Sequence, residues 1–595
     1  MAVSPSNIKD STLRHTITVE GAVLNDTVPV VSIHTRYDLN RIPTAEIVLI
    51  DGAVETGDFQ ISDGATLIPG NSISISAGYG SEETEIFRGV ILKQAIKISS
   101  ESSFLVVTCK HVAVEMTFNR KEDSFLKQKD KDIITKIIGN YSGLSAEVGA
   151  STVEHESMFQ KMATDWDFVL SRAEACGFVI SYSMDQMFIK APVFSTAPVL
   201  SVEYGKDIID FEAEISAASQ PLSVDASSWD IKSHAMITSS SAEPSLNEQG
   251  NLGGKQLSAK LNQQILSLSS GSPMASNELK EWADSSLLRM RLSALQGSVS
   301  FQGNALPLPG CIIELAGVGQ RFNGKAYVSS VEHDLADGMW KTTARFGLEN
   351  KPVSEKANFS YTPAAGQLPA VHGLQVALVT KIDADPNSEF RIQVKLAGVA
   401  ATDVLLWARM ANFYATSTSG SFFLPEINDE VLIGFLDNNP LSPVILGSLY
   451  SSKNAPESTP AAGNHVKGIT TRSKLKISFD DEKKVTKIST PGGNTITLDD
   501  ENKALNIVDQ NSNSIKMTAS GIEFKSAKDL TLKATGKIVL DATAAVSISS
   551  QADVALEGLN IKSTAQVGFV AKGNASAEIS ASGQTIVKGA LVMIN

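Results

Sequence analysis

The chain has 595 residues, 42% of them hydrophobic and 19% charged, with a formal net charge of −14. That length accommodates about three to five domains of ordinary soluble composition. The acidic balance speaks against a nucleic-acid surface and against anchoring on an anionic membrane.

Residues 14 to about 115 read as strands, with alternating stretches such as Ser72–Ser76 (SISIS) closed by Gly or Asn turns. A helix is predicted over 130–139, with Ile133, Ile134, Ile137 and Ile138 on one stripe and Gly139 at its end. A second follows a capping Thr164; Trp166, Val169, Leu170 and Ala173 face one way and Gly177 lies past the end. Residues 215–276 are rich in Ser, Ala, Gln and Gly and carry little pattern. A third helix covers about 277–296, and strands resume from Val299 to Gly347. Residues 351–370 have the composition of a linker. A compact β module runs over 371–450, a second linker over 451–470, and a repetitive segment over 471–595.

The region 1–350 echoes itself. Pro69-Gly70 leads into a strand ending Ala77-Gly78-Tyr79-Gly80, followed by Phe87-Arg88-Gly89 and further strands. Pro309-Gly310 leads into a strand ending Ala316-Gly317-Val318-Gly319, followed by Phe322-Asn323-Gly324. This order predicts two related β-barrel modules with helical insertions. The alternative is that such turns recur in any β-rich chain.

Motifs that could carry chemistry have structural explanations. Gly319–Ala326 nearly spells a P-loop, but Ala326 stands where Ser or Thr would hold magnesium, and a strand follows instead of a helix. The eight histidines are scattered without metal-ligand spacing. Asp480-Asp481 and Asp499-Asp500-Glu501 sit in polar turns, without the apolar cleft that paired catalytic carboxylates need. Cys109, Cys176 and Cys311 are far apart and odd in number, which suits buried thiols in a reducing compartment. The expectation is no catalytic residue, no cofactor and no metal. The first residues lack a signal-peptide core, and no stretch approaches the roughly 20 apolar residues that span a bilayer. Synthesis in the cytoplasm without a cleaved signal is expected.

From about Ile515 the chain repeats with a step of eight. Ile522, Leu530, Ile538, Val546 and Val554 form one series, and Phe524, Leu532, Leu540, Ile548 and Leu556 a second, two residues behind. The register then slips by one at Ile561. Spacing of two puts each pair on one face of a strand. Two buried aliphatics give about 3–6 kcal/mol, while ordering eight residues costs about 8–16 kcal/mol of backbone entropy. An isolated rung does not balance. Three chains wound together would point each pair at a common axis and give each strand backbone partners; a single-chain β-solenoid or a loosely ordered tail is the alternative.

The module 371–450 contains Trp407-Ala408-Arg409 and Phe423-Leu424-Pro425-Glu426-Ile427-Asn428-Asp429-Glu430-Val431-Leu432-Ile433-Gly434-Phe435. It ends Asn439-Pro440-Leu441-Ser442-Pro443-Val444-Ile445-Leu446-Gly447-Ser448-Leu449-Tyr450. It resembles the OB-fold domain of VgrG spike proteins and the phage tail-spike family, with Asn428 where Gly is common. Trp407, Arg409, Pro425, Glu426, Asp429, Glu430, Gly434, Pro440, Pro443, Gly447 and Tyr450 carry that signature. Gln160 with Asp165-Trp166-Asp167-Phe168-Val169 and Gly177 is similar, more weakly, to the family's tail-hub part.

The resemblance implies a mainly β protein: tail-hub-like β-barrel modules, an OB-fold collar and a C-terminal intertwined triple-stranded β-helix in a homotrimer. It implies a spike of a contractile injection system joining a hexameric inner-tube protein to a membrane-puncturing needle, among baseplate proteins, and meeting the target membrane only transiently. Leu591, Val592, Met593, Ile594 and Asn595 would seat a PAAR-repeat tip protein or cargo. Some relatives carry a lysozyme domain between collar and needle, or an effector after the needle; the short span after Tyr450 and the end of this chain imply neither. Release on firing is expected. The alternative is a tailspike hydrolase acting on peptidoglycan or envelope polysaccharide.

Overall fold

A computed structural model describes residues 2–6, 12–184, 186–271, 273–352, 370–397 and 405–594. The linker 351–370 therefore lies almost wholly outside the described residues. The chain divides into two compact units, Met1–Gly447 and Ser448–Asn595.

The first unit opens with β1 (Leu13–Val19), β2 (Val30–Asp38), β3 (Thr44–Ile50), β4 (Ser72–Tyr79), β5 (Glu82–Ile98) and β6 (Ser103–Lys110). Burial alternates along them: in β3, Ala45, Ile47 and Leu49 are inside while Glu46 and Ile50 face water. That period of two gives each strand one apolar face and so a core to close on. The strands pair in the order β2-β3-β6-β5-β4-β1.

An insertion follows, containing β7 (Arg120–Lys129), α1 (Asp130–Ile138), β8 (Glu154–Thr164) and α2 (Asp165–Ala175). β7 and β8 form an antiparallel ribbon. Then come β9 (Leu200–Glu203), β10 (Ile208–Ile215), α3 (Ser276–Leu292), β11 (Leu295–Gln302), β12 (Ile312–Ala316), β13 (Gly324–Ala336) and β14 (Met339–Phe346). Helix α3 stops four residues short of the expected 296, because the chain must turn extended at Leu295 to enter β11.

The six strands β9–β14 pair in the order β10-β11-β14-β13-β12-β9, the same positional order as β1–β6. Neighbours are antiparallel in both sets, with one difference: β9 runs parallel to β12, whereas β1 runs antiparallel to β4. The sets join through the long β13: its start pairs with β12, and its second half pairs with β2, setting Leu335 opposite Ile33 and Val331 opposite Tyr37. Between β10 and α3 lies regular structure that the sequence hides. Val224–Asp230, Ala235–Ser240 and Leu266–Ser270 make a three-stranded sheet whose core includes Leu279, Ala283 and Leu287 of α3.

Five strands close a barrel: β15 (Gln375–Lys381), β16 (Ile392–Leu396), β17 (Leu405–Met410), β18 (Glu430–Phe435) and β19 (Pro443–Ser448). Its core is Ala377, Val379, Ile392, Val394, Ala408, Val431, Ile433 and Ile445. Closure leaves no sheet edge unpaired.

In the second unit, regular structure begins at Val466, inside the segment 451–470 that reads as linker. From there to Lys525, within the span expected as triple β-helix, the strands are an antiparallel meander paired within one chain. They are β20 (Val466–Thr470), β21 (Lys476–Asp480), β22 (Val485–Ser489), β23 (Thr495–Asp499), β24 (Ala504–Val508), β25 (Ser514–Thr518) and β26 (Gly521–Lys525). The reason is local: short polar turns bring neighbours together, as where Asp480 and Asp499 accept from the amides of Lys483 and Asn502. Beyond Ser526 the described chain forms no strand or helix and bends at 527–528, 535–536, 543–544, 551–552, 559, 566–567, 574–575, 582–583 and 590–591. The step is eight residues until it shortens to seven between 559 and 566, where the sequence register slips.

Candidate interaction surfaces

The hub motif holds the insertion together. Gln160 Nε2 donates to Asp165 Oδ1 at 2.8 Å, while Lys121 Nζ and Tyr141 Oη each donate to Asp165 Oδ2 at 2.6 Å. Thr164 caps α2 by accepting from the amide of Asp167 at 3.1 Å. Trp166 and Phe168 are buried, and Phe168 stacks on Phe125 of β7 at 5.9 Å. The ribbon is thereby pinned to α2. Gln160 and the D-W-D-F string serve packing and capping.

A second buried network joins α1, β8 and α2. Arg172 Nε and Nη2 donate to Asp130 at 2.6 and 3.0 Å, and His155 Nε2 lies 2.9 Å from the same carboxylate. Burial pushes the Asp130 pKa up, but the Arg172 guanidinium and His155 outweigh it and leave it below its ordinary value. Cys176 Sγ donates to Asp130 at 3.4 Å, and burial with that carboxylate pushes the thiol up. Burial likewise pushes Cys109 up to about 12 and Cys311 up to about 11. All three thiols stay protonated at neutral pH, so Cys176 beside His155 and Asp130 is not an activated nucleophile.

The β2–β13 seam carries charges of its own. His34 Nδ1 lies 2.6 Å from Asp334 and Arg36 Nη1 lies 3.3 Å from Glu332, each pair directly across the register. The hydrogen bond to Asp334 raises the His34 pKa. His333, on the other face and fully buried against Thr342 and Trp340, is pushed down to about 4 by burial. Beside the seam opens a cleft of about 510 Å³. Two of its four arginines pair with its carboxylates, Arg289 with Glu174 at 3.2 Å and Arg36 with Asp38 at 2.8 Å. Among the described residues no His, Cys, Asp and Glu cluster could hold a metal ion, and no helix is long and apolar enough to cross a membrane.

In the barrel, Pro425 is buried and Trp407 half-buried, while Arg409 on β17 is exposed and pairs with Val444 across to β19. Glu426 and Asp429 form one turn: Asp429 accepts from the Glu426 amide at 2.9 Å and donates its own amide to the Glu426 carbonyl at 3.0 Å. Asn428 at φ +71 fills the left-handed position of that turn, which explains why Asn can stand where Gly is common. Glu430 and Gly434 lie on β18, and a Cβ at Gly434 would come 3.3 Å from Leu374. Pro440 sits in the turn closed by Leu436, which donates to the Ser442 carbonyl; Pro443 is buried at the start of β19, and Gly447 lies near its end. Tyr450 is exposed.

The sequence reading missed the barrel's loops. The connection 382–391 presents Phe390 at 94% exposure, and the connection 411–429 presents Phe413 at 89% and Phe422 at 83%. Asp385 organises the first loop by accepting from the amides of Asn387, Glu389 and Arg391 and from the Arg391 guanidinium at 2.6 Å.

The meander has one apolar face. Ile469, Ile477, Ile488, Ile496, Ile507, Ile515 and Phe524 stand opposite one another from strand to strand. The same register sets Phe479, Leu498, Leu505, Met517 and Ile522 beside them, with Lys476, Ser478, Lys487, Thr497 and Lys516 on the other face. Ile469, Ile488 and Ile507 are nineteen apart, as are Ile477, Ile496 and Ile515: a hairpin repeat precedes the octads. Nothing in the second unit covers this face; Phe479 and Ile488 are each 42% exposed.

The octad residues Ile522, Phe524, Leu530, Leu532, Ile538, Leu540, Val546, Ile548, Val554 and Leu556 are exposed throughout. Every described residue from 527 to 594 is exposed, and none makes a backbone–backbone hydrogen bond. Leu591, Val592, Met593 and Ile594 share that exposure, and Asn595 lies outside the described residues.

Comparisons with known proteins place this architecture. Residues 375–450 match the family described as the type VI secretion system/phage-baseplate injector OB domain, and residues 9–337 match the family described as the Alg8 N-terminal domain. The type VI secretion system spike protein VgrG5 of Pseudomonas aeruginosa is 29% identical over 133 residues, covering 21% of this chain and 17% of that protein. The chain thus matches about a sixth of that relative's length. Among solved structures, the 43 kDa tail protein of prophage MuSo2 from Shewanella oneidensis aligns over 57% of this chain and 99% of its own, at 8% identity and TM-score 0.45. The E. coli c3393 protein, a type VI secretion component described as similar to T4 tail proteins gp27 and gp5, covers 73% of this chain and 99% of its own, at 13% identity and TM-score 0.36. The chain belongs to the Alg8 N-terminal domain family over its first half and, with the injector OB domain behind it, to the VgrG and phage tail-hub family of spike proteins.

Proposed function

We propose that three copies assemble into the spike of a contractile injection machine, working by mechanics and not by catalysis. The observation that carries this is the segment 527–594, outside any strand or helix, bent at steps of eight residues with one of seven, and without internal backbone bonds or burial. A regular apolar row left in water forgoes its burial, and unpaired strand groups template pairing with a neighbouring chain. Two further copies offset by a rung would supply both, with the octad pairs Ile522/Phe524 through Val554/Leu556 as the needle core.

The matching strand order of β1–β6 and β9–β14 supports a duplicated hub. Three copies of two such sets give approximate six-fold symmetry, suited to a hexameric inner-tube protein, while the needle keeps three. Baseplate proteins would surround the hub, the barrel would form a collar, and the apolar end Leu591–Asn595 would seat a PAAR-repeat tip protein or a cargo. The assembled particle would carry the chain out of the cell and meet a target membrane only on firing. Stiffness would come from interchain bonds that must break together.

The test is the mass of the purified full chain in solution with its outline in negative stain. A particle of three 63.3 kDa chains with a thin rod at one end is expected. A monomer whose last hundred residues exchange amide protons as fast as a free peptide would end this reading. Peptidoglycan or capsule hydrolysis by the trimer would favour a tailspike hydrolase instead.

A further inference from the structure

The two connections that present the barrel's exposed aromatics emerge at one end. β15 runs antiparallel to β16 and β18, and β16 antiparallel to β17. The C-terminal ends of β15 and β17 therefore lie beside the N-terminal ends of β16 and β18, and 382–391 and 411–429 both start and finish there. Phe390, Phe413, Tyr414, Phe422 and Phe423 are 94%, 89%, 55%, 83% and 56% exposed. At the usual area of such rings this leaves roughly 700 Å² of aromatic surface in water. Apolar patches on ordinary monomers reach about 300–600 Å², and a stable protein contact needs about 800 Å² per partner.

This end is also preorganised. Ala384, Ser388 and Phe390 all hold positive φ, at 56°, 56° and 57°. The hydrogen bonds to Asp385 fix that backbone and so fix the direction in which Phe390 stands. Tyr414 and Ser421 are tied by a 2.9 Å backbone bond that folds the second connection back on itself. Side chains already ordered lose little freedom on contact. The opposite end of the barrel differs. Its exposed residues are the aliphatics Leu374, Leu436 and Leu441, and there Asp437 meets Lys161 of the hub ribbon at 3.1 Å.

We propose that the aromatic end of the barrel, Phe390 with Phe413, Tyr414, Phe422 and Phe423, is a contact between copies of this chain. The inference rests on the trimer reading. Its occupant is a second copy for two reasons: the area matches one side of a stable contact, and the uncovered face of residues 466–525 independently calls for more copies. A lipid surface is disfavoured because Asp383, Asp385, Glu389, Glu426 and Asp429 border the aromatics against Arg391 alone in these two connections. In a three-fold ring the contact is heterologous, with the Phe390 loop of one barrel meeting the Phe413–Phe423 hairpin of the next.

The test uses the full chain with a photo-crosslinking phenylalanine analogue at position 413, in particles assembled from isotopically light and heavy copies. Light-to-heavy links to peptides from 382–391 or 411–429 are expected, with dimer and trimer bands on a denaturing gel. A particle that has three-chain mass but gives links only within one copy, or to a vesicle or another protein, overturns this contact and leaves the trimer standing. A monomeric mass overturns both. A second measurement is Phe413→Ser with Phe422→Ser, side chains outside the barrel core. In the trimer, amide exchange over 411–423 should quicken about tenfold or more, and unchanged exchange counts against the contact.

Discussion

The hub and the meander use the same strand chemistry and reach opposite ends. In the hub, Ile47, Leu49, Phe87, Phe301 and Phe346 are essentially removed from water by one chain's own strands. In the meander the ladder Ile477, Ile488, Ile496 and Ile507 is as regular, yet each residue keeps more than a third of its surface exposed. The difference is layers. In the hub, strands and helices pack on one another, as where Ile133 and Val169 share a core with Ile47 and Phe87, whereas the meander is one layer with one apolar side. A single amphipathic layer specifies its own register but not its own burial.

The largest test of that comparison strikes the ladder. Ile507→Asp would put three carboxylates at the axis of the proposed trimer, each unable to ionise without several kcal/mol of desolvation cost. The expected outcome is loss of the three-chain mass with an unchanged hub melting transition. Asn506→Asp, one residue away on the polar face, should leave the mass alone. If both variants stay trimeric, the ladder does not face the axis.

The next effect belongs to the hub alone. Asp130→Ala strips the mostly buried Arg172 of its bidentate partner and should cost about 3 kcal/mol, read as a lower urea midpoint for hub unfolding. Glu147→Ala breaks the half-exposed pair with Lys190 and should cost about 0.5 kcal/mol or less.

An effect of similar size is pH-dependent and sits at the seam. His333 titrates near 4 in the fold and near 6.5 in an unfolded chain. Below pH 6.5 the unfolded chain takes up a proton the fold refuses, so stability falls until about pH 4, by on the order of 3 kcal/mol. His34 works in the other window: its raised pKa gives stability that is full below 6.5 and lost as pH climbs through the raised value. Asp334, held low by His34, adds stability above its unfolded pKa that is lost in acid. Urea midpoints at pH 7 and pH 4.5 should therefore differ, and the difference should shrink in His333→Gln. An unchanged difference would assign the acid sensitivity to carboxylates elsewhere.

Legibility followed contrast between buried and exposed residue types. Helix α2 was readable because Thr164 caps it, Gly177 at φ +69 ends it, and large apolar residues mark one face. The sheet at Val224–Asp230 was not, because its inward residues after Val224 are Ala226 and Ser228, too small and too polar to stand out from Ser-rich loops. The octads were visible because their step is constant. The meander was not, because its hairpins alternate between steps of eight and eleven, as from Ile469 to Ile477 to Ile488, and only the sum repeats. The aromatic end of the barrel escaped notice for another reason. Its residues lie on two connections that are distant in sequence, and only the strand directions bring them to one place.

The smallest effect tests whether the barrel turn is tuned for the fold or merely tolerated. Asn428 at φ +71 sits where L-residues other than Asn, Asp and Gly pay about 1–2 kcal/mol. Its amide donates to the Val379 carbonyl at 2.9 Å, tying the turn to β15. Asn428→Ala keeps that amide but loses the tolerance for the left-handed backbone, so a cost of about 1 kcal/mol is expected in barrel stability. Asn428→Gly relieves any strain yet frees the unfolded chain, and these opposed terms should leave it within about 0.5 kcal/mol of the natural sequence. Equal losses for both variants would instead point to the Asn428 side chain making a contact in the assembled ring, where Ile427 beside it is also exposed. Repeating the pair of measurements on trimer and on a monomeric Ile507→Asp background separates the two: a backbone effect is the same in both, and a ring contact vanishes with the ring.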